Sequence, residues 1–213
     1  METTHRIARP IATLVIVLVI STAAAMAGPQ PAAAPGELRI PTITYVGDST
    51  PEQRALVEWA ADRFAMAGLS LPDVEVSFPL TCGGKRGRHF VGQARIELCK
   101  AARITAVHEL AHAWDDAGGV ADRQGFMHRR GVDHWLVKEG RKPVESGGEQ
   151  LAQIIAWGLM DLDTAVRYEA YEGQPREDHE PRVPGLPMSS VPELRAEFVE
   201  LTGVAPLHTS SQL

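Results

Sequence analysis

Ala106 to Asp116 reads AVHELAHAWDD, and within it His108-Glu109-Leu110-Ala111-His112 has the form HExxH. From Ile104 to Ala117 there is no Gly or Pro, Val107, Leu110, Ala111 and Trp114 recur at helical spacing, and Gly118-Gly119 close the run. The spacing predicts a helix. At about 3.6 residues per turn, His108 and His112 stack on one face, so both imidazoles can reach a single ion. Glu109 sits beside them, where it can take a proton from a water that the ion activates without itself binding the ion. Two solvated helix histidines paired with Glu109 are the plainer alternative.

A catalytic zinc ion (Zn2+) takes three protein ligands and keeps one position open, so a third donor is needed. The chain has eight His and only two Cys, which excludes a Cys-rich finger and leaves His and carboxylates as ligands. Glu149 is the leading candidate. It opens the segment EQLAQIIAWGLM, Glu149 to Met160, whose Leu151, Ile154, Ile155 and Leu159 mark a buried side while Ala152 and Ala156 lie near the glutamate. Those small residues allow close approach to the HExxH helix, and Gly147-Gly148 just before them permit a sharp entry. Asp116, one turn beyond His112, is the next candidate; His128, His134 and Glu145 stay open as ligands without a comparable helical setting. Asp115 and Asp116 are otherwise expected as acids supporting the ligands or facing solvent. Trp114 and Trp157 are expected in the core.

With His108 to His112 and Glu149 in these positions, the chain resembles the zincin metallopeptidases in which a glutamate from a later helix joins HExxH. A wider similarity runs over residues 74 to 160, to small exported bacterial HExxH proteins, through RIELC, HELAHAWDD, ADRQGFMHRRGVDHW and EQLAQIIAWGL. The family usually carries Asn-Glu-x-x-Ser/Ala-Asp around its third ligand. Here the stretch reads Gly148-Glu149-Gln150-Leu151-Ala152-Gln153, so Gln153 stands where an Asp would orient a ligand histidine. The resemblance implies a peptidase with Glu109 as general base and a peptide or protein substrate. It also implies that the strand before the active helix, Arg95 to Cys99, lines the cleft as an edge that pairs with extended peptide. Spacing does not choose an oxyanion donor among Tyr168, Tyr171, His134 and His179.

Upstream, Ile40 to Val46 is β-branched and reads as a strand, followed by a helix capped by Thr50, with Pro51 at its first position and Gln53 completing a capping box. Val74 to Phe78 and Arg95 to Cys99 read as further strands, with a shorter one near His89 to Val91. The loop CGGKRGR, Cys82 to Arg88, lacks the G-x-x-x-x-G-K-[ST] spacing that wraps a nucleotide, so a turn between strands is expected. Cys82 and Cys99 flank this region, and a disulfide between them is the economical pairing for an exported chain.

Export is expected from the first 27 residues: Arg6 and Arg9, an uncharged run from Ile11 to Ile20, and small residues up to Ala25-Met26-Ala27. A cleaved signal peptide is favoured; an uncleaved membrane anchor through residues 11 to 27 is the rival, and both place the folded part outside the cytoplasm. Residues 28 to 36 (GPQPAAAPG) form a Pro/Ala linker, residues 37 to 204 the domain, and residues 205 to 213 a flexible tail. A Pro-containing surface loop, Gly173 to Val191, precedes a last amphipathic helix that stops at Gly203. Net charge is −6 over 213 residues, with 44% hydrophobic content, which gives no basic footprint for nucleic acid and no composition for disorder. The expected fold class is α+β: a minimal zincin-like domain, with a small mixed sheet packed on the HExxH helix and a second helix carrying the third ligand. Two functions of other kinds share these features: a non-catalytic zincin-like binding protein of the cell envelope, and a hydrolase of a non-peptide cell-wall amide.

Overall fold

The computed structural model describes residues 39–140, 142, 145–160 and 191–207. The expected signal, linker, Pro-containing loop and end of the tail lie outside these residues, as do Tyr168, Tyr171 and His179. The described chain is a small α+β protein. In order it forms β1 (Ile43–Tyr45), α1 (Pro51–Met66), β2 (Val74–Ser77), β3 (Gly87–Phe90), β4 (Arg95–Leu98), α2 (Arg103–Asp116), α3 (Arg123–Arg130), α4 (Gly147–Leu159) and α5 (Val191–Thr202). Among the described residues, no helix is long and apolar enough to cross a membrane.

The four strands form one sheet in the order β1-β2-β4-β3. β1 and β2 pair in parallel, as do β2 and β4, while β3 runs antiparallel to β4 with His89 opposite Ile96. Strand order corrects one expectation. The strand before the HExxH helix, β4, is paired on both sides and has no open edge; the edge beside the helix belongs to β3. The chain forms a hairpin after β2 and inserts β4 next to β2, because Ile96 and Leu98 then join Val74 and Val76 in the core.

Local signals in the sequence set the helix ends. At α1, the Gln53 amide donates to Thr50 Oγ1 at 3.2 Å while Gln53 Oε1 accepts from the Thr50 amide at 2.8 Å, closing the capping box. Ser146 caps α4, its Oγ accepting from the Glu149 amide at 3.4 Å. Gly147-Gly148 therefore lie inside the first turn of α4 rather than before it. α3, which the periodicity did not announce, is capped by Asp122 and ended by Gly131 in the left-handed region at φ 63°. Only Phe126 of its residues is buried, so it has almost no apolar stripe to be read.

The core is continuous across the layers. Val57, Ala60 and Phe64 of α1, Val107, Leu110 and Ala111 of α2, Leu151, Ile154 and Ile155 of α4, and Leu194 and Phe198 of α5 are buried against the inner face of the sheet or against one another. Trp114 and Trp157 are buried, as expected. Arg130 ties three helices together: its Nε donates to Gln150 at 2.7 Å and its Nη1 lies 3.1 Å from Glu197. Ala205 to Leu207, expected to begin a flexible tail, instead dock on α4. The Leu207 amide donates to the Gly158 carbonyl at 2.8 Å, and the Leu207 side chain packs on the core.

Ile154 is fully buried in this cluster, whereas Val199 is 40% exposed. Ile154→Ala is expected to cost about 2–5 kcal/mol in urea unfolding and Val199→Ala under about 0.5 kcal/mol. Equal costs at the two positions would contradict this placement of the core.

Candidate metal centre

α2 presents His108 and His112 one turn apart, and α4 brings Glu149 to the same point. The His108 and His112 Nε2 atoms are 3.2 Å apart, His108 Nε2 is 3.2 Å from Glu149 Oε2, and His112 Nε2 is 3.7 Å from Glu149 Oε1. Each residue offers one donor atom, and all three atoms lie within 4.8 Å of one another. They could hold a metal ion, and they form the one such cluster found among the described residues.

Glu149 reaches this point because the start of α4 is held close to its neighbours. A Cβ at Gly147 would lie 2.8 Å from Trp135 Cε3, and one at Gly148 would lie 3.0 Å from the Trp135 carbonyl oxygen. The amides of Gly147 and Gly148 donate to the carbonyls of His134 and Trp135, each at 2.9 Å. Close approach, more than a sharp entry, is why both positions are glycine. Trp135 is anchored in turn to α2, its Nε1 donating to Asp115 Oδ2 at 2.9 Å. Asp115 is buried and also accepts from Arg123 Nε at 3.0 Å, so it supports the segment on which α4 begins.

The electrostatics of the cluster follow from its burial. Burial raises the Glu109 carboxyl to about 7 against the opposing pull of His108. That value suits a base working near neutral pH. Burial would also raise Glu149, but its hydrogen bond to His108 and the charges of both histidines and Lys85 outweigh that and hold it at about 2. His112 is pushed down to about 3 by burial and by the neighbouring His108 charge, which leaves its imidazole neutral, as a ligand must be. For His108, burial acts downward, yet the Glu149 hydrogen bond prevails and its pKa rises; Gln153 adds a further side-chain hydrogen bond.

The remaining candidates go elsewhere. Asp116 turns to β3: its Oδ2 accepts from the Gly92 amide at 2.7 Å and lies 3.4 Å from His89 Nε2. His128 is exposed on α3, and Glu145 lies in the turn before Ser146. His134 is buried, its Nδ1 bonded to Asp133, and it is not among the residues lining the cleft. Cys82 and Cys99 are disulfide-bonded, with Cα atoms 5.8 Å apart.

The donors open onto a cleft of about 520 Å³, walled on one side by β3 and the loop before it and elsewhere by Trp135, Leu136 and Val137. Three of its residues carry no signal in the sequence. The His89 ring stacks on that of His112, with centroids 5.7 Å apart and planes 16° from parallel, so it backs a donor imidazole. Gly87 lies on the Glu109 carboxylate: a Cβ there would sit 2.5 Å from Glu109 Oε1. Lys85 lines the cleft close enough for its charge to favour ionised Glu109 and Glu149.

Two outcomes follow. Glu149→Ala should weaken metal affinity by well over tenfold in a competition titration with a chelator, and Asp116→Ala by much less; the reverse order would move the third donor to Asp116. Gly87→Ala should displace the Glu109 carboxylate while metal affinity stays within about threefold of wild type; a crystal structure of the variant with Glu109 unmoved would refute the contact. Compared with family models, with curated proteins and with solved structures, the chain matches none of them.

Proposed function

We propose that the protein is an exported zinc-dependent peptidase of zincin type. The observation that carries this reading is the convergence of two imidazole nitrogens 3.2 Å apart with the Glu149 carboxylate, whose Oε2 lies 3.2 Å from His108 and whose Oε1 lies 3.7 Å from His112, beside a second, buried carboxylate, Glu109, that faces the same cleft. A tetrahedral ion with bonds of about 2.0–2.1 Å needs its donors roughly 3.3 Å apart, which favours zinc over larger cations that collect six or more oxygens. Three protein donors leave one position open, as in catalytic sites.

Zinc held by His108, His112 and Glu149 would polarise a scissile carbonyl and lower the pKa of water. Glu109 is the base that removes the proton from the attacking water and delivers it to the leaving amine. Gln153, hydrogen-bonded to His108, does the orienting that an Asp does in the glutamate-liganded family. Among the described residues β3 pairs with β4 on one side only, so the backbone of Gly87–Phe90 offers an edge along which an extended peptide can add as a further strand. Main-chain pairing of this kind suits a peptide or protein substrate better than a small amide, and the acidic chain gives no footprint for nucleic acid. The signal-like first 27 residues, with Ala25-Met26-Ala27, support action outside the cytoplasm, free or tethered through residues 11 to 27.

The test is metal analysis of the purified protein beside a peptide-library digest. Wild type should carry one zinc per chain and cleave; Glu109→Gln should keep its zinc and lose about 10²–10⁴-fold in kcat. Zinc without cleavage of any library member would turn the reading to a binding protein. A folded wild type with no affinity for zinc would overturn it.

A further inference from the structure

The segment CGGKRGR, Cys82 to Arg88, neither holds the ion nor moves the proton, yet Lys85, Arg86, Gly87 and Arg88 all line the cleft. It is firmly built. The disulfide ties Cys82 to Cys99 at the end of β4, the Lys100 amide donates to the Arg86 carbonyl at 2.8 Å, and the Lys85 amide donates to the Cys82 carbonyl at 3.4 Å. Gly83 and Gly84 make the turn at φ 64° and 84°, where a side chain would be strained. Lys85 and Arg86, both exposed, are thereby fixed just ahead of the open edge of β3.

Three cations in four residues on one cleft wall go against the average of a chain whose net charge is −6. They are not there merely to neutralise the acids around them, because three of the four acids lining the cleft, all but Glu109, already have other partners. Asp115 is bonded to Arg123 and Trp135, Asp116 to the Gly92 amide, and Glu149 to the histidines. Arg88 is turned away, donating to the Cys82 carbonyl at 3.3 Å with Glu97 4.0 Å distant. Lys85, by contrast, makes no ion pair among the described residues, although its charge is felt at Glu109 and Glu149.

We propose that Lys85, with Arg86 beside it, forms a carboxylate-binding subsite at the start of β3, so that the cleft selects peptides carrying an acidic group near the bond presented to the ion. This rests on the peptidase reading above. A substrate lying along β3 passes these two cations on entering or leaving the site. In a half-enclosed cleft, one such pair gives about five- to tenfold in affinity, less at high salt. The carboxylate can come from an acidic side chain or from the end of a peptide chain, and the two are separable.

Binding is measured by fluorescence anisotropy on zinc-loaded Glu109→Gln protein, so that nothing is cut. The probes are labelled hexapeptide pools with Glu, Gln or Lys at one fixed position, each made with a free or an amidated C-terminus. Amidated Glu pools binding about five- to tenfold tighter than amidated Gln pools would assign the subsite to side chains; a gain confined to free C-termini would assign it to the chain end. In either case Lys85→Glu should abolish the preference and favour the Lys pools, and 0.5 M salt, about a 4 Å screening length, should reduce it. Equal binding of all pools, or none by any, overturns the proposal. Wild-type cleavage of the same pools is scored separately: carboxylate-dependent binding without cleavage keeps the subsite and defeats the peptidase reading, and cleavage without carboxylate preference does the reverse.

Discussion

Glu149 must give up much of its water to meet two imidazoles, its side chain only 29% exposed, and the packing of α4 on α2 takes it there. The penalty for partly burying that carboxylate is offset by what it meets: first the hydrogen bond and charge of His108, then the His112 imidazole and the Lys85 charge. The packing is apolar in its energetics, with Val107, Leu110 and Ala111 buried on α2 and Leu151, Ile154 and Ile155 on α4. Its precision is polar and steric. Gly147 and Gly148 let the first turn of α4 close on Trp135, and Trp135 is tied to Asp115 of α2. A change at either end of this chain of contacts moves the donor triangle.

The same economy shapes the other wall. β3 reaches the site because β4 takes the inner position of the sheet, and Gly87 lets its backbone lie on Glu109. His89 of the same strand backs His112. One short strand therefore touches Glu109, stacks on His112 and, among the described residues, leaves its outer edge unpaired. The disulfide fastens the loop in front of it, which closes a short loop between two otherwise exposed turns.

Much of this was legible in the chain itself. HExxH at helical spacing, the Thr50 box and the run EQLAQIIAWGL are local patterns, and local patterns survive folding when burial agrees with them. Glu149 was legible because its own helix carries a clear buried side. α3 was not, since eight residues with one buried side chain leave no stripe to read. Edge identity was hidden because strand order is decided by pairing between distant segments, here Val76 with Ile96. Gly87, His89 and Lys85 were hidden for the same reason: each meets its partner some twenty residues away, across a hairpin and a helix, and nothing near them in sequence records it.

Whether His108, His112 and Glu149 hold zinc is examined directly by X-ray absorption at the zinc edge of the loaded protein. Four light donors are expected at about 2.0–2.1 Å, two with the outer-shell scattering of imidazole, with one imidazole lost in His112→Ala. A six-oxygen shell without imidazole, or a spectrum unchanged in His112→Ala, would contradict this ligand set.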